Sequence, residues 1–114
     1  MCEASAEEEA ILQQIRDTDG GMPFIFYVEE AERGPVVTEV DLGNSGIDDD
    51  SLRLVAGLKC LRYLCLEDTR ITDYGLSHLR DMASLRRIVL RGTATTDEGV
   101  RRLQSALIDC EIER

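Results

Sequence analysis

The sequence predicts an α/β fold: a short right-handed solenoid with parallel strands on a concave face, helices on a convex face and a helix-and-strand cap at the amino end. Three observations predict it. From Val37 onward the apolar positions return every 24 residues, as Val37, Leu61 and Leu85; Val40, Leu64, Ile88 and Ile112; Leu42, Leu66 and Leu90; Leu52, Leu76 and Val100; and Val55, Leu79 and Leu103. Polar positions return at the same interval, as Ser45, Thr69 and Thr93; Asp49, Asp73 and Asp97; and Ser51, Gly75 and Gly99. Within each interval a two-residue alternation, as in Leu64 and Leu66, gives way to helical spacing, as in Leu76, Leu79 and Met82. Each unit therefore reads as a strand followed by a helix. A period of roughly 20 to 29 residues marks units that bury a core only by stacking on their neighbours.

The first 35 residues do not follow this period and are read as a cap over the open end of the stack. Over residues 7 to 19, Ala10, Ile11 and Ile15 share a helical face with the aliphatic part of Gln14. Glu7, Glu8 and Glu9 fall in the first turn, where acids suit the positive end of a helix dipole. Gly20 and Gly21 supply a stop. The run Phe24, Ile25, Phe26, Tyr27 and Val28 is aromatic and β-branched between turn formers, and predicts a strand. A charged link over residues 29 to 35 then leads into the units at residues 36 to 114.

In the second unit Leu64 and Leu66 point into the core, and the Thr69 hydroxyl is placed to satisfy backbone groups as the chain leaves the sheet. Ile71 returns to the core. Thr72 and Asp73 start a helix with short side-chain oxygens. The third unit departs twice, with Thr95 where the others have Ile47 and Ile71, and Ala106 where they have Leu58 and Met82. Both changes predict lost apolar volume and a weaker unit. The last residues begin a fourth unit and end after its strand, a charged edge that resists accidental sheet extension and equally offers a docking edge.

The segment Thr69-x-Ile71-Thr72-Asp73-x-Gly75-Leu76 has weaker copies at Ser45-x-Ile47-Asp48-Asp49 and Thr93-x-Thr95-Thr96-Asp97-x-Gly99-Val100. It resembles the leucine-rich repeat family, in the cysteine-containing subtype found in F-box substrate receptors, and more closely the short bacterial proteins with Thr in the cysteine position. The resemblance covers residues 36 to 114. It implies a non-catalytic module that binds a protein partner through its concave face. Residues 1 to 35 hold no F-box motif, so a ubiquitin-ligase role does not carry over.

Composition narrows the function classes. With 114 residues the chain is one domain, small for such a stack. A net charge of −10 argues against nucleic acid as a partner, since phosphate binding needs clustered Lys and Arg. The charge is uneven: Met1 to Arg33 hold nine acids and two bases, whereas Leu85 to Ile108 hold two acids and five bases. Cys2, Cys60, Cys65 and Cys110 form no C-x-x-C pair and stand beside no His cluster, so reduced thiols are expected and no metal or cofactor is called for. No secretory signal and no membrane-spanning run are legible, which predicts a cytoplasmic chain with no membrane partner.

Side chains between the inward leucines face the concave surface in such a stack. Thr38, Glu39, Asp41 and Gly43 come from the first strand, and Cys110, Glu111 and Glu113 from the last. The predicted contact residues are Arg62, Tyr63, Cys65 and Glu67 in the second strand and Arg86, Arg87, Val89 and Arg91 in the third. Tyr and Arg dominate binding energy at protein interfaces, so Tyr63 with Arg86, Arg87 and Arg91 reads as a patch for an acidic partner. The competing reading is a solvated sheet face whose arginines pair with Glu67, Glu111 and Glu113 across strands.

Asp48, Asp49 and Asp50 lack the spacing, glycine and distal glutamate of a calcium loop and read as a helix start. His78 has no nucleophile or carboxylate arranged with it, and Cys65 would be reactive only if Arg62 or Arg86 lowered its pKa. No catalysis is expected. Two alternatives to concave-face binding stand: an assembly subunit that docks through its terminal edge or helical face, with weak head-to-tail self-association; or an acidic inhibitor that covers a basic protein surface.

Overall fold

The computed structural model describes residues 13–14, 24–30, 34–44 and 46–114. Five strands form one sheet in the order β1 (Phe24–Glu30), β2 (Gly34–Asp41), β3 (Tyr63–Cys65), β4 (Arg87–Val89) and β5 (Glu111–Glu113). Strands β1 and β2 are antiparallel, and β2 through β5 are parallel. Between the parallel strands lie α1 (Asp49–Val55), α2 (Asp73–Leu76), continued by a 3₁₀ turn over Ser77–Leu79, and α3 (Asp97–Ala106). The chain is therefore α/β. The helix expected over residues 7 to 19 falls outside the described residues except at Gln13 and Gln14, which are helical. The turn position expected at Ser45 also falls outside them.

Every pair in the parallel set is separated by 24 positions: Glu39 with Tyr63 and Arg87 and Glu111, Val40 with Leu64 and Ile88 and Ile112, Asp41 with Cys65 and Val89 and Glu113. Because the side-chain period of a strand is two, that register puts Val40, Leu64, Ile88 and Ile112 on one face. They pack there against Leu52, Val55, Leu76, Leu79 and Leu103 from the helices, in one continuous core. Cys65 and Val89 are buried yet lie outside that core, on the opposite face.

The hairpin corrects the expected charged link over residues 29 to 35. Glu29 and Glu30 extend β1, Gly34 and Pro35 begin β2, and Glu29 pairs with Pro35. Proline is tolerated there near the start of the strand, before the stretch from Glu39 to Asp41 that pairs with β3. Strand β2 thus straddles the boundary drawn between residues 35 and 36.

The helix expected through Leu76, Leu79 and Met82 is a single α turn followed by a 3₁₀ turn. Spacing by threes suits the 3.0-residue period of a 3₁₀ helix, which keeps all three side chains inward. The amides of Leu58 and Met82 accordingly bond to the carbonyls three residues back, on Val55 and Leu79. The third segment differs, and corrects the expectation of a void at Ala106. There α3 runs for 10 residues, and Leu107, four residues after Leu103, turns inward and donates its amide to the Leu103 carbonyl. Leu107 is buried while Ala106 is exposed. The Gln104 amide donates to the carbonyls of Leu107 and Cys110, at 2.9 and 2.8 Å, and closes the end of the helix. Thr95, also expected to weaken this segment, is buried with its hydroxyl hydrogen-bonded to that of Thr93.

Turns between strand and helix are fixed by two recurring devices. The hydroxyls of Thr69 and Thr93 donate to the carbonyls of Leu66 and Leu90 at 2.7 and 2.6 Å, the role expected of Thr69. Asn44, Asp68 and Gly92, again 24 apart, hold positive φ of 60°, 56° and 75°. Asn, Asp and Gly are the residues that tolerate this left-handed conformation.

Asp48, Thr72 and Thr96 cap the three helices, each accepting a hydrogen bond from an amide in the first turn. The next residue in two of them, Asp49 and Asp73, reaches across to the following segment. Asp49 accepts from the Thr72 amide at 2.8 Å and the Thr72 hydroxyl at 2.5 Å, and Asp73 accepts from the Thr96 amide and hydroxyl at the same distances. Bonds from the Thr96 hydroxyl and amide hold the Asp73 carboxyl below its ordinary value of 3.8. A carboxylate whose pKa is lowered by folding contributes stability above its unfolded pKa and loses it as pH falls through the folded one. Urea unfolding between about pH 5 and pH 2 should therefore show a fall in stability that is smaller in Asp73→Asn than in wild type. Parallel losses in the two proteins would remove this role for Asp73.

Candidate functional site

Among the described residues, the sheet face opposite the helices is covered by no other element. Its central rows are Glu39, Tyr63, Arg87 and Glu111, then Asp41, Cys65, Val89 and Glu113. Of the eight predicted contact residues, Tyr63, Cys65, Arg87 and Val89 lie in these rows, and the eight do not form one free basic patch. Arg87 pairs with Glu113 at 3.0 Å, and Arg91 lies 3.5 Å from Glu67 and 3.8 Å from Glu113. The Arg87 guanidinium is held protonated more firmly by its hydrogen bond to Glu113. Arg86 instead donates to the carbonyls of Ala83 and Leu85, at 3.0 and 3.2 Å. Arg62 and Arg86 are exposed and form no ion pair among the described residues.

Cys65 and Val89 are 6% and 3% exposed, which corrects their placement as surface contacts. Short side chains in the middle of a sheet are shaded by the long ones on either side, here Tyr63, Asp41, Arg87 and Glu113. Burial pushes the Cys65 thiol up, and the negative charge of Asp41 adds to the shift, so the lowering by Arg62 or Arg86 on which reactivity would depend is not there. Burial also raises the Tyr63 phenol, with Cys65 the next cause. Tyr63 is a protonated hydroxyl at neutral pH, half-buried, able to donate and accept.

The cysteines divide. Cys65 and Cys110 are free thiols, whereas Cys60 is disulfide-bonded, which corrects the expectation of four reduced thiols. Cys60 is 2% exposed. Among the described residues no group of His, Cys, Asp and Glu could hold a metal ion, and none of their helices is long and apolar enough to cross a membrane. His78 is half-buried, edge-on to the Tyr74 ring at 5.5 Å.

The sequence reading missed three features. The first is the Asp–Thr bond between successive segments, although the Asp and Gly columns that make it were both visible. The second is the left-handed column at Asn44, Asp68 and Gly92. The third is Ile108, 80% exposed beside a small cleft. No protein-family model matches the chain, and no curated protein matches it.

Proposed function

We propose that the chain is a short right-handed leucine-rich repeat solenoid that binds a protein partner through its concave sheet face and performs no catalysis. The observation that carries this reading is the open face itself, a parallel sheet with helices on one side only, whose exposed side presents Tyr63 among Arg62, Arg86, Arg87 and Arg91. Support for a solenoid comes from the constant 24-residue register and from the Asp–Thr bonds repeated at a separation of 23. A thiol raised by burial at Cys65 is the reverse of an activated nucleophile.

Charge reversal tests the reading. Arg87→Glu combined with Arg91→Glu should weaken capture of a protein partner from native extract, while the circular dichroism and thermal transition keep their form. The new like charges opposite Glu113 and Glu67 should themselves cost about 0.2–1 kcal/mol of stability per pair. Undiminished capture by the variant would move the site off the centre of the face.

A second reading, assembly through the terminal edge, is favoured by the exposed Ile108 and by the mutual neutralisation of Arg87, Arg91, Glu67 and Glu113. Strand β1 already covers the β2 edge, so head-to-tail pairing of β5 with β2 is blocked. A cytoplasmic location belongs to the proposal as well.

A further inference from the structure

The turn between α3 and β5 leaves a cleft beside the open face. Leu85, Leu107 and Cys110 line it, each no more than 5% exposed, and Ile108 and Arg86 stand at its mouth with Asp109. Two independent features single it out. Ile108 is one of two large apolar side chains among the described residues that are mostly exposed, the other being Tyr74 on α2 at 65%. Exposed aliphatic surface against an apolar cleft is a surface that gains by being covered.

The second feature is charge. Arg86 is anchored at the cleft mouth by its two bonds to the carbonyls of Ala83 and Leu85, which spend one terminal nitrogen and leave the remaining N–H donors without a partner among the described residues. Arg62 lies one strand over, and its carbonyl accepts from the Arg86 amide at 2.8 Å. Arg62 and Arg86, on neighbouring segments and neither paired with a carboxylate among the described residues, offer donors to an anion on a chain that is acidic as a whole. Asp109 sits on the same mouth and confines an incoming carboxylate to the Arg86 side.

We infer that this corner is the anchor point for the protein partner, and that it takes a segment in which an acidic residue is followed by an aliphatic one. The carboxylate bonds to Arg86 with Arg62 beside it, and the aliphatic side chain covers Ile108 and enters the cleft over Leu107. The inference rests on the binding reading above and moves its centre from Arg87 and Arg91, which are already paired, to the Arg62, Arg86 and Ile108 corner.

The test is an amide-shift titration of the full chain with the capped tetrapeptide acetyl-Glu-Asp-Leu-Leu-amide, with acetyl-Gln-Asn-Leu-Leu-amide as the uncharged control. Shifts are expected over residues 83–86 and 106–110, with affinity about tenfold weaker for the control and for Arg86→Gln or Ile108→Ser. Arg86→Lys should recover part of the loss, and the thermal transition of all three variants should match wild type, since both positions are exposed. Shifts gathered instead at Tyr63, Arg87 and Arg91 would overturn this placement and leave the binding reading standing. No shifts at millimolar peptide would also overturn it, and the capture experiment with Arg87→Glu and Arg91→Glu would then decide the binding reading separately.

Discussion

Replacing Gly99 with alanine is expected to destabilise the protein by about 2–4 kcal/mol, the reverse of the gain of up to about 1 kcal/mol that Gly→Ala brings inside an ordinary helix. A Cβ on Gly99 would overlap Oδ1 and Cγ of Asp73 and lie 2.8 Å from its Oδ2. The carboxylate has little freedom to withdraw, because its side chain is short and both oxygens are bonded to Thr96. Making room means giving up hydrogen bonds to a charged group, worth about 1.5–3 kcal/mol each when buried and less at an exposed position such as this one. Urea unfolding measures the loss, and a double-mutant cycle identifies its cause. In Asp73→Ala the obstacle is gone, so adding Gly99→Ala to it should cost nothing further. Additive losses would mean that the glycine matters for some other reason. Gly75 stands in the same relation to Asp49, with the Asp49 Cγ and the Leu52 Cδ1 both 3.1 Å from its would-be Cβ.

Leu64→Ala should have the largest effect of any single core change, about 3–5 kcal/mol. Leu64 is fully buried at the centre of β3, between Val40 and Ile88 in register, with strands paired on both sides. A cavity there cannot close by moving one edge, because β2 and β4 hold the backbone in place. Domains are stable by only about 5–15 kcal/mol, so the variant should lose a large fraction of that. Ile112, half-buried on the edge strand β5, provides the contrast: Ile112→Ala should cost markedly less. Equal losses at the two positions would contradict a core centred on β3.

Much of this architecture was legible because one interval governs both hydrophobic positions and strand register. Val40, Leu64, Ile88 and Ile112 fell in one sequence column and lie side by side in the sheet. Periodicity could not give the kind of helix. Leu76, Leu79 and Met82 at spacing of three fit a 3₁₀ turn as well as an α-helix, and the distinction decides whether Ala106 or Leu107 enters the core. Nor could it tell surface from interior on the open face. Cys65 and Val89 alternate out of the core as expected, but their burial depends on long neighbours from other strands. Residue types nominated Arg87 and Arg91 as contact groups. Only the three-dimensional arrangement shows that Glu113 and Glu67 already meet them, while Arg62 and Arg86 meet no carboxylate among the described residues.

The Asp–Thr–Gly contact gives the chain a direction and an ordering rule. Each donor segment supplies an aspartate, and each acceptor segment must answer with a threonine at the helix cap and a glycine three residues later. The first segment answers with Asp48 and Ser51, whose buried hydroxyl bonds back to Asp48. It can begin the series but cannot follow another member, since an aspartate arriving from before it would meet a like charge and a Cβ. The second and third segments can each follow any member that carries the aspartate, so one of them can be duplicated in tandem, whereas a second copy of the first placed internally would break the stack.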